Sequence, residues 1–521
     1  MSARPPVFLN KLATGIAGFD LIAHGGLPAG RSTIVAGTAG SGKTVLAIQF
    51  LVAGIRDYNQ HGVIVSFEEA PRDLMQNVRS FGWNLEEQIA AGKLGIVDAT
   101  PELEKEVVEV GSYDLSALLA RIESAIRKVN AQRVILDTIG ALFPQFADAH
   151  LVRRELHRIH AGLRQMGVTT LITIERSDDE GSVGRLGVEE FVADNVILLR
   201  NRLEHEKRRR TIEILKFRGG THQKGEYPFT IAPEDGISII PLSAIELKQK
   251  SSGVRFSSGI AELDKMCGGG MYRDSIILVS GATGTGKTLM VAQYVKAAIE
   301  CGERALVFGT EESREQLTRN AASWGVDFER AEKDGLLRMV CRYPEVMALE
   351  DHLLQMKRDI HEFRPHRVAV DSLSAFERVD SNKSFREFVI ALTSAIKHLE
   401  IPGLFTHTTS ILTGGESITE THLSTITDQI ILLRYVELHG EIRRGLTVLK
   451  MRGNWHQKDI REYTIDNTGM HVGATFRGVQ GILTGAPHYG YVEERDRLTD
   501  MFDGPKASEP SFGVPGGKDT R

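Results

Sequence analysis

The sequence predicts an α/β protein of two tandem domains, each a mainly parallel twisted sheet flanked by helices. Three observations carry that prediction. The chain of 521 residues is 41% hydrophobic and 25% charged, an ordinary globular mixture with room for two to four domains at about 150 residues each. It repeats itself over the length of a domain: Gly37-Thr-Ala-Gly-Ser-Gly-Lys43-Thr44 returns as Gly281-Ala-Thr-Gly-Thr-Gly-Lys287-Thr288, 244 residues later. Within each copy, short β-branched apolar runs alternate with longer helix-compatible segments, the pattern of βαβ units around a parallel sheet.

The repeat keeps its order along the chain. Lys11-Leu-Ala-Thr-Gly-Ile-Ala17 pairs with Arg255-Phe-Ser-Ser-Gly-Ile-Ala261, and Phe67-Glu68-Glu69 pairs with Thr310-Glu311-Glu312. Lys216-Phe-Arg218 with His222-Gln-Lys matches Lys450-Met-Arg452 with His456-Gln-Lys, at an offset of 234. A period near 240 residues is a domain rather than a solenoid unit. We expect domains at 1–246 and 255–486, a polar linker at 247–254 and a largely disordered tail at 487–521, rich in Gly, Pro, Ser and charge from 505 onward. Strands are expected at 33–36, 63–67, 134–136, 169–173 and 196–199, with counterparts at 276–280, 305–308, 368–370 and 430–433. These apolar runs are too short for helices and suit buried parallel strands.

Composition excludes several classes. Lys plus Arg number 63 against 68 Asp plus Glu, a net charge of −5 without the broad basic footprint of a dedicated nucleic-acid binder. The one basic run, Lys207-Arg-Arg-Arg210, is short and flanked by Glu204 and Glu206, as a solvated face or interface is. Cys267, Cys301 and Cys341 are too few and too far apart for a disulfide framework or a CxxC metal site, which fits a reducing compartment. Met1 to Asn10 lacks a signal-peptide pattern, and no run approaches the 18 or so apolar residues of a membrane span, so a cytoplasmic protein is expected.

Each Gly-x-x-x-x-Gly-Lys-Thr follows a predicted strand and opens a predicted helix, the context in which this pattern is a phosphate-binding P-loop. Gly40, Ser41 and Gly42, and Thr283, Gly284, Thr285 and Gly286, wrap the phosphates with backbone N–H groups at a helix N-terminus. Lys43 and Lys287 would contact the terminal phosphates, and Thr44 and Thr288 would hold Mg²⁺. Arg133-Val-Ile-Leu-Asp137 and Arg367-Val-Ala-Val-Asp371 each end an apolar strand in a carboxylate placed to anchor the same ion. Glu68, Glu69, Glu311 and Glu312 follow the strand after each P-loop helix, where a carboxylate can polarise an attacking water or hydroxyl; Glu311 also stands as a metal candidate.

Three further segments carry a specific resemblance. Gly187-Val-Glu-Glu-Phe-Val-Ala-Asp-Asn195, Arg208-Arg-Arg-Thr-Ile-Glu-Ile-Leu-Lys216 and Ser417-Ile-Thr-Glu-Thr-His-Leu-Ser-Thr-Ile-Thr-Asp428 resemble the KaiC family of tandem RecA-like P-loop ATPases and autokinases of the circadian clock. The likeness runs from about Lys11 to about Ala486. It implies a hexamer of two stacked rings with ATP between neighbouring subunits. Lys216, Phe217, Arg218, His222, Arg444, Lys450, Met451 and Arg452 would then reach a neighbour's nucleotide, with Ser80 and Trp324 nearby. The same resemblance makes Ser424 and Thr425 phosphoacceptors, with Thr419 a third hydroxyl in phosphate shuttling. The first half has no such hydroxyl pair, which implies hydrolysis in the first ring and transfer in the second, with Glu311 as candidate base.

The family's KaiB partner is implied by the segment from Val107 to Leu118, while the tail departs from the pattern that recruits KaiA and does not support that dependence. Gly220, Ala232 and Pro233 also depart from the family pattern around the first site. Two other readings stay open at this stage: a nucleotide-gated scaffold with little kinase activity, and a DNA-stimulated RecA-like motor.

Overall fold

The computed structural model describes residues 10–100, 115–145, 149–179, 193–204, 207–241, 251–409, 423–483 and 488–489. The chain divides into two compact units. One comprises Met1–Lys248 with Pro344–Arg358 and Val379–Ser394, the other Gln249–Tyr343 with Asp359–Arg378 and Ala395–Arg521.

The sheet of the first unit consists of β1 (Ser32–Gly37), β2 (Gly62–Ser66), β3 (Leu94–Asp98), β4 (Arg133–Asp137), β5 (Thr169–Glu175), β6 (Asn195–Glu204), β7 (Lys207–Phe217), β8 (Glu226–Ala232) and β9 (Gly236–Ile239). Its order is β3-β2-β4-β5-β1-β6-β7-β8-β9. Strands β3 to β6 in that order run parallel, and β7, β8 and β9 continue the edge antiparallel.

The second unit repeats the plan strand for strand. Its members are β10 (Ile276–Gly281), β11 (Ala305–Gly309), β12 (Leu337–Cys341), β13 (Arg367–Asp371), β14 (Gly403–Thr408), β15 (Gln429–Leu438), β16 (Glu441–Met451), β17 (Arg461–Asp466) and β18 (Gly469–Thr475). Their order is β12-β11-β13-β14-β10-β15-β16-β17-β18. The helices that matter below are α1 (Lys43–Tyr58), α2 (Pro71–Val78), α3 (Lys287–Glu300), α4 (Arg314–Ser323) and α5 (Leu373–Glu377).

Strand residues alternate between faces, so a sheet covered on both sides reads as an unbroken apolar run. Val35, Ile64, Ile135 and Leu171 pack on one face against Leu46 and Phe50 of α1. Ile34, Val63, Val134 and Ile172 pack on the other against Ile122, Ile126, Ile159 and Leu163. In the second unit Ile277 and Val279 meet Leu289, Met290 and Tyr294 of α3. Burying one such side chain stabilises by roughly 1.5–3 kcal/mol, so these faces hold the strand ends that carry the chemistry. No helix among the described residues is long and apolar enough to cross a membrane.

Candidate active sites

Each P-loop links the carboxyl end of a central strand to a helix. Gly42, at φ 95°, and Gly286, also at φ 95°, sit in the left-handed region immediately before α1 and α3. Neither has room for a side chain: a Cβ would lie 2.8 Å from Ile231 Cδ1 or 2.8 Å from Ile465 Cδ1. Lys43 Nζ donates to Thr38 O at 2.9 Å, and Lys287 Nζ to Gly281 O and Ala282 O, each at 2.9 Å, so the loop carbonyls hold each ammonium over the loop. Burial lowers both lysines, opposed by Glu175, Asp137 and Glu68 in the first site and by Asp371 and Glu311 in the second.

The expected metal residues meet. Thr44 Oγ1 donates to Asp137 Oδ2 at 3.0 Å, and Thr173 Oγ1 to Oδ1 at 2.5 Å. Asp371 accepts from Thr406 Oγ1 at 2.5 Å and from Thr288. Desolvation pushes both carboxyls above the usual range, with the threonine hydroxyls and the P-loop lysines pulling the other way. A hydroxyl and a carboxylate with no nitrogen or sulfur ligand suit a hard cation that takes its remaining ligands from phosphate and water, as Mg²⁺ does. Among the described residues no group of three or more His, Cys, Asp or Glu could hold a metal by itself.

The glutamate pairs are held alike. Asn77 Nδ2 donates to Glu69 Oε2 at 3.2 Å, and Asn320 Nδ2 to Glu312 Oε2 at 2.9 Å. Glu68 and Glu311, by contrast, each raise the pKa of the P-loop lysine across the site, and Glu311 accepts from Arg378 at 2.9 Å. Glu312 in turn is raised by burial and by the nearby Asp371, so both members of the second pair lie close to the site. Ser80 Oγ donates to Asn77 O at 3.3 Å, placing it on the helix turn that holds Glu69. Trp324 caps α4 and is partly buried against the core.

The remaining predicted residues lie elsewhere. Lys216 Nζ donates to Ala193 O at 2.9 Å, Phe217 pairs with Asn195, and the Arg218 amide donates to Asn195 Oδ1 at 3.1 Å. The His222 ring lies 5.7 Å from that of Phe217. At Gly220, a Cβ would come within 3.2 Å of both Lys11 Cε and Phe217 Cε1, so a larger residue there requires these side chains to shift.

In the second unit, Lys450 Nζ donates to Ser424 O at 2.5 Å and Thr427 O at 2.7 Å, and Arg452 donates to Thr425 O at 2.7 Å. Met451 pairs with Gln429. The nearby Asp428 accepts from the Ile276 amide at 2.9 Å, at the amino end of β10, whereas Lys287 sits on Gly281 at the carboxyl end. At about 3.3 Å per residue, roughly 17 Å of strand separates the acceptor segment from the P-loop of the same unit. Thr419, residues 107–114 and 187–192, and the tail beyond 489 lie outside the described residues.

Arg444 stands apart from Lys450 and Arg452. It pairs with Tyr435, whose hydroxyl donates to Thr283 O at 3.3 Å, at the P-loop end. Its counterpart by the 234-residue offset is Arg210, which pairs with Asn201 and donates to Gly40 O at 3.3 Å. Sequence reading missed Arg210 in the basic run, although the repeat offset would have found it. It also missed Asn77 and Asn320, Glu175 at the end of β5, and Asp179, which accepts from Thr38 Oγ1 at 3.0 Å.

A parallel sheet whose P-loop strand and carboxylate strand are separated by one intervening strand, β1-β5-β4 and β10-β14-β13, defines a tandem RecA-like P-loop ATPase. Comparison narrows the class. Residues 12–244 and 256–476 each match the KaiC ATPase family, and the chain belongs to that family. It is 59% identical over 495 residues to the circadian clock protein KaiC3 of Synechocystis sp., covering 95% of this chain and 98% of that protein. It is 54% identical over 496 residues to the circadian clock oscillator protein KaiC of Thermostichus vulcanus, covering 95% of each. Against the circadian clock oscillator protein KaiC 1 of Synechocystis sp. the identity is 52% over 498 residues, 96% of each.

Proposed function

We propose that this chain is a KaiC-type hexameric ATPase and Ser/Thr autokinase, acting as a cytoplasmic phosphorylation timer or clock component. The first ring hydrolyses ATP and the second transfers the γ-phosphate to Ser424 and Thr425. Mg²⁺ would be held by Thr44 with Asp137 and by Thr288 with Asp371, where it supplies charge neutralisation at the phosphates. Glu68 and Glu311 accept the proton of the attacking water or hydroxyl. A KaiB-like protein is the expected partner.

One observation carries this reading. Lys450 and Arg452 hold the acceptor backbone at the amino end of β10, about 17 Å of strand from the Lys287 of the same unit. Residues so far from their own P-loop can serve a nucleotide only if it belongs to a neighbour, which supports sites completed between subunits. Lys216 and Arg218 stand in the same relation to β1.

Mixing two variants tests transfer between subunits. S424A/T425A retains the P-loop but has no acceptor, and K287A retains the acceptors but lacks the phosphate-contacting lysine. On a phosphate-affinity gel with Mg-ATP, neither is expected to shift alone, and K287A is expected to shift after co-assembly. Failure of wild type to shift would dismiss the autokinase reading; absence of a K287A shift after co-assembly would dismiss transfer between subunits.

A further inference from the structure

Beside Asp371 in the second unit lies a polar pair that the chemistry above does not use. His407 on β14 is buried, and its Nε2 donates to Glu377 Oε2 at 3.0 Å. A carboxylate only accepts, so Nε2 is the nitrogen that carries the proton. His407 Nδ1 has no hydrogen-bond partner among the described residues, and neither has the hydroxyl of Ser280, the residue opposite it on β10.

The first unit has apolar residues at the matching sequence positions. Ala36 pairs with Ile174 there, both in the core, where Ser280 pairs with His407 here. The sixth residue past the strand-end aspartate is Phe143 in the first unit and Glu377 in the second. A buried histidine with an orphaned nitrogen, tied to a half-buried carboxylate, is no more stable than apolar packing of the same shape, so stability does not account for it.

Its neighbours do. Glu377 ends α5, and the next residue, Arg378, donates to Glu311 Oε1 at 2.9 Å. His407 follows Thr406, whose hydroxyl donates to Asp371 Oδ1 at 2.5 Å. The bond between them ties together the two segments whose adjacent residues hold the metal carboxylate and the candidate base. We infer that His407 and Glu377 are positioning residues of the second site: their hydrogen bond fixes the last turn of α5 on β14 and so sets Arg378 and Glu311 relative to Asp371. The inference rests on the second unit being the one that transfers phosphate.

The full chain carrying H407I/E377F, the residues of the first unit, is compared with wild type, E377A and H407Q, whose amide N–H still donates to Glu377. Phosphate incorporation at Ser424 and Thr425 is measured against ATP concentration. H407I/E377F and E377A are expected to lower kcat about tenfold, with KM for ATP within about twofold, because misplacing a base by a fraction of an ångström slows chemistry without releasing substrate. H407Q is expected to recover most of the rate. Wild-type kcat in H407I/E377F, or a loss confined to KM, overturns the inference, as does a loss that H407Q shares in full. Should the double variant not fold, E377A and H407Q decide alone. If wild type itself incorporates no phosphate, the autokinase reading fails instead. The pair is then scored on ATP hydrolysis in a K43A background, where the same tenfold loss is expected and an unchanged rate overturns it.

Discussion

Asp137 and Asp371 are carboxyls that folding places where their charged form is costly. Desolvation raises both above the usual range, so the folded protein keeps these protons to higher pH than the unfolded chain does. The sign follows: in the absence of metal, stability falls as pH rises through the carboxylate range, and the penalty is complete once the folded carboxyl has ionised. D371N is therefore expected to raise the melting temperature of the nucleotide-free protein by about 2 °C at pH 8, a gain that shrinks toward acid pH. The same substitution is expected to remove the second site's share of the further stabilisation by Mg-ATP. A lower melting temperature for D371N at pH 8, recorded by calorimetry, would contradict this account.

At the scale of the element, β4 and β13 begin in arginine and end in the metal carboxylate. Arg133 is fully buried and donates to Phe50 O at 2.6 Å, Ala13 O at 2.7 Å and Gln60 Oε1 at 2.6 Å, with the Phe50 ring 4.5 Å from its guanidinium. Burial lowers it to about 10, with Tyr58, Asp20 and Asp57 pulling only partly the other way. R133M strands those acceptors and is expected to cost about 3 kcal/mol, seen as a lower denaturant midpoint, and R133K does not rescue it because an ammonium lacks the fork. A midpoint within error of wild type would show that the fork is dispensable.

The strand itself was legible, because Val134, Ile135 and Leu136 form an apolar run ending in Asp137. The role of Arg133 was not, since its partners at positions 13, 50 and 60 share no local pattern with it. The same holds for the clamp of Asn77 on Glu69 and of Asp179 on Thr38. Edge strands β3 and β12 escaped notice too: Leu94-Gly-Ile-Val-Asp98 and Leu337-Arg-Met-Val-Cys341 mix polar and small residues into short runs. Motifs that act through consecutive residues were readable, and contacts closed by the fold were not. The basic run 207–210 is partly exposed, as a solvated face or interface is, yet Arg210 donates to Gly40 O at 3.3 Å and Arg208 to Asn201 O at 2.8 Å, contacts that composition alone does not announce.

Over the whole chain, duplication leaves two sites that can be switched off separately. K287A is expected to remove phosphate incorporation about a hundredfold while ATP hydrolysis by the first unit continues, and K43A to do the reverse. Turnover and phosphate incorporation measured on the same samples check this, and parallel loss of both in either variant would mean that the units act as one. The placement of P-loop and acceptor at opposite ends of one strand has a consequence for counting. Under the proposed reading every subunit would carry a socket at one end of each sheet and a plug at the other, so contacts would be head-to-tail, and such contacts close into a ring when the rotation between copies divides the circle evenly. Such a row of n subunits would have n − 1 completed sites for each of the two units, whereas a ring of n would have n. Under the proposed reading a lone subunit has none, and closing the ring is itself the step that switches on the last site.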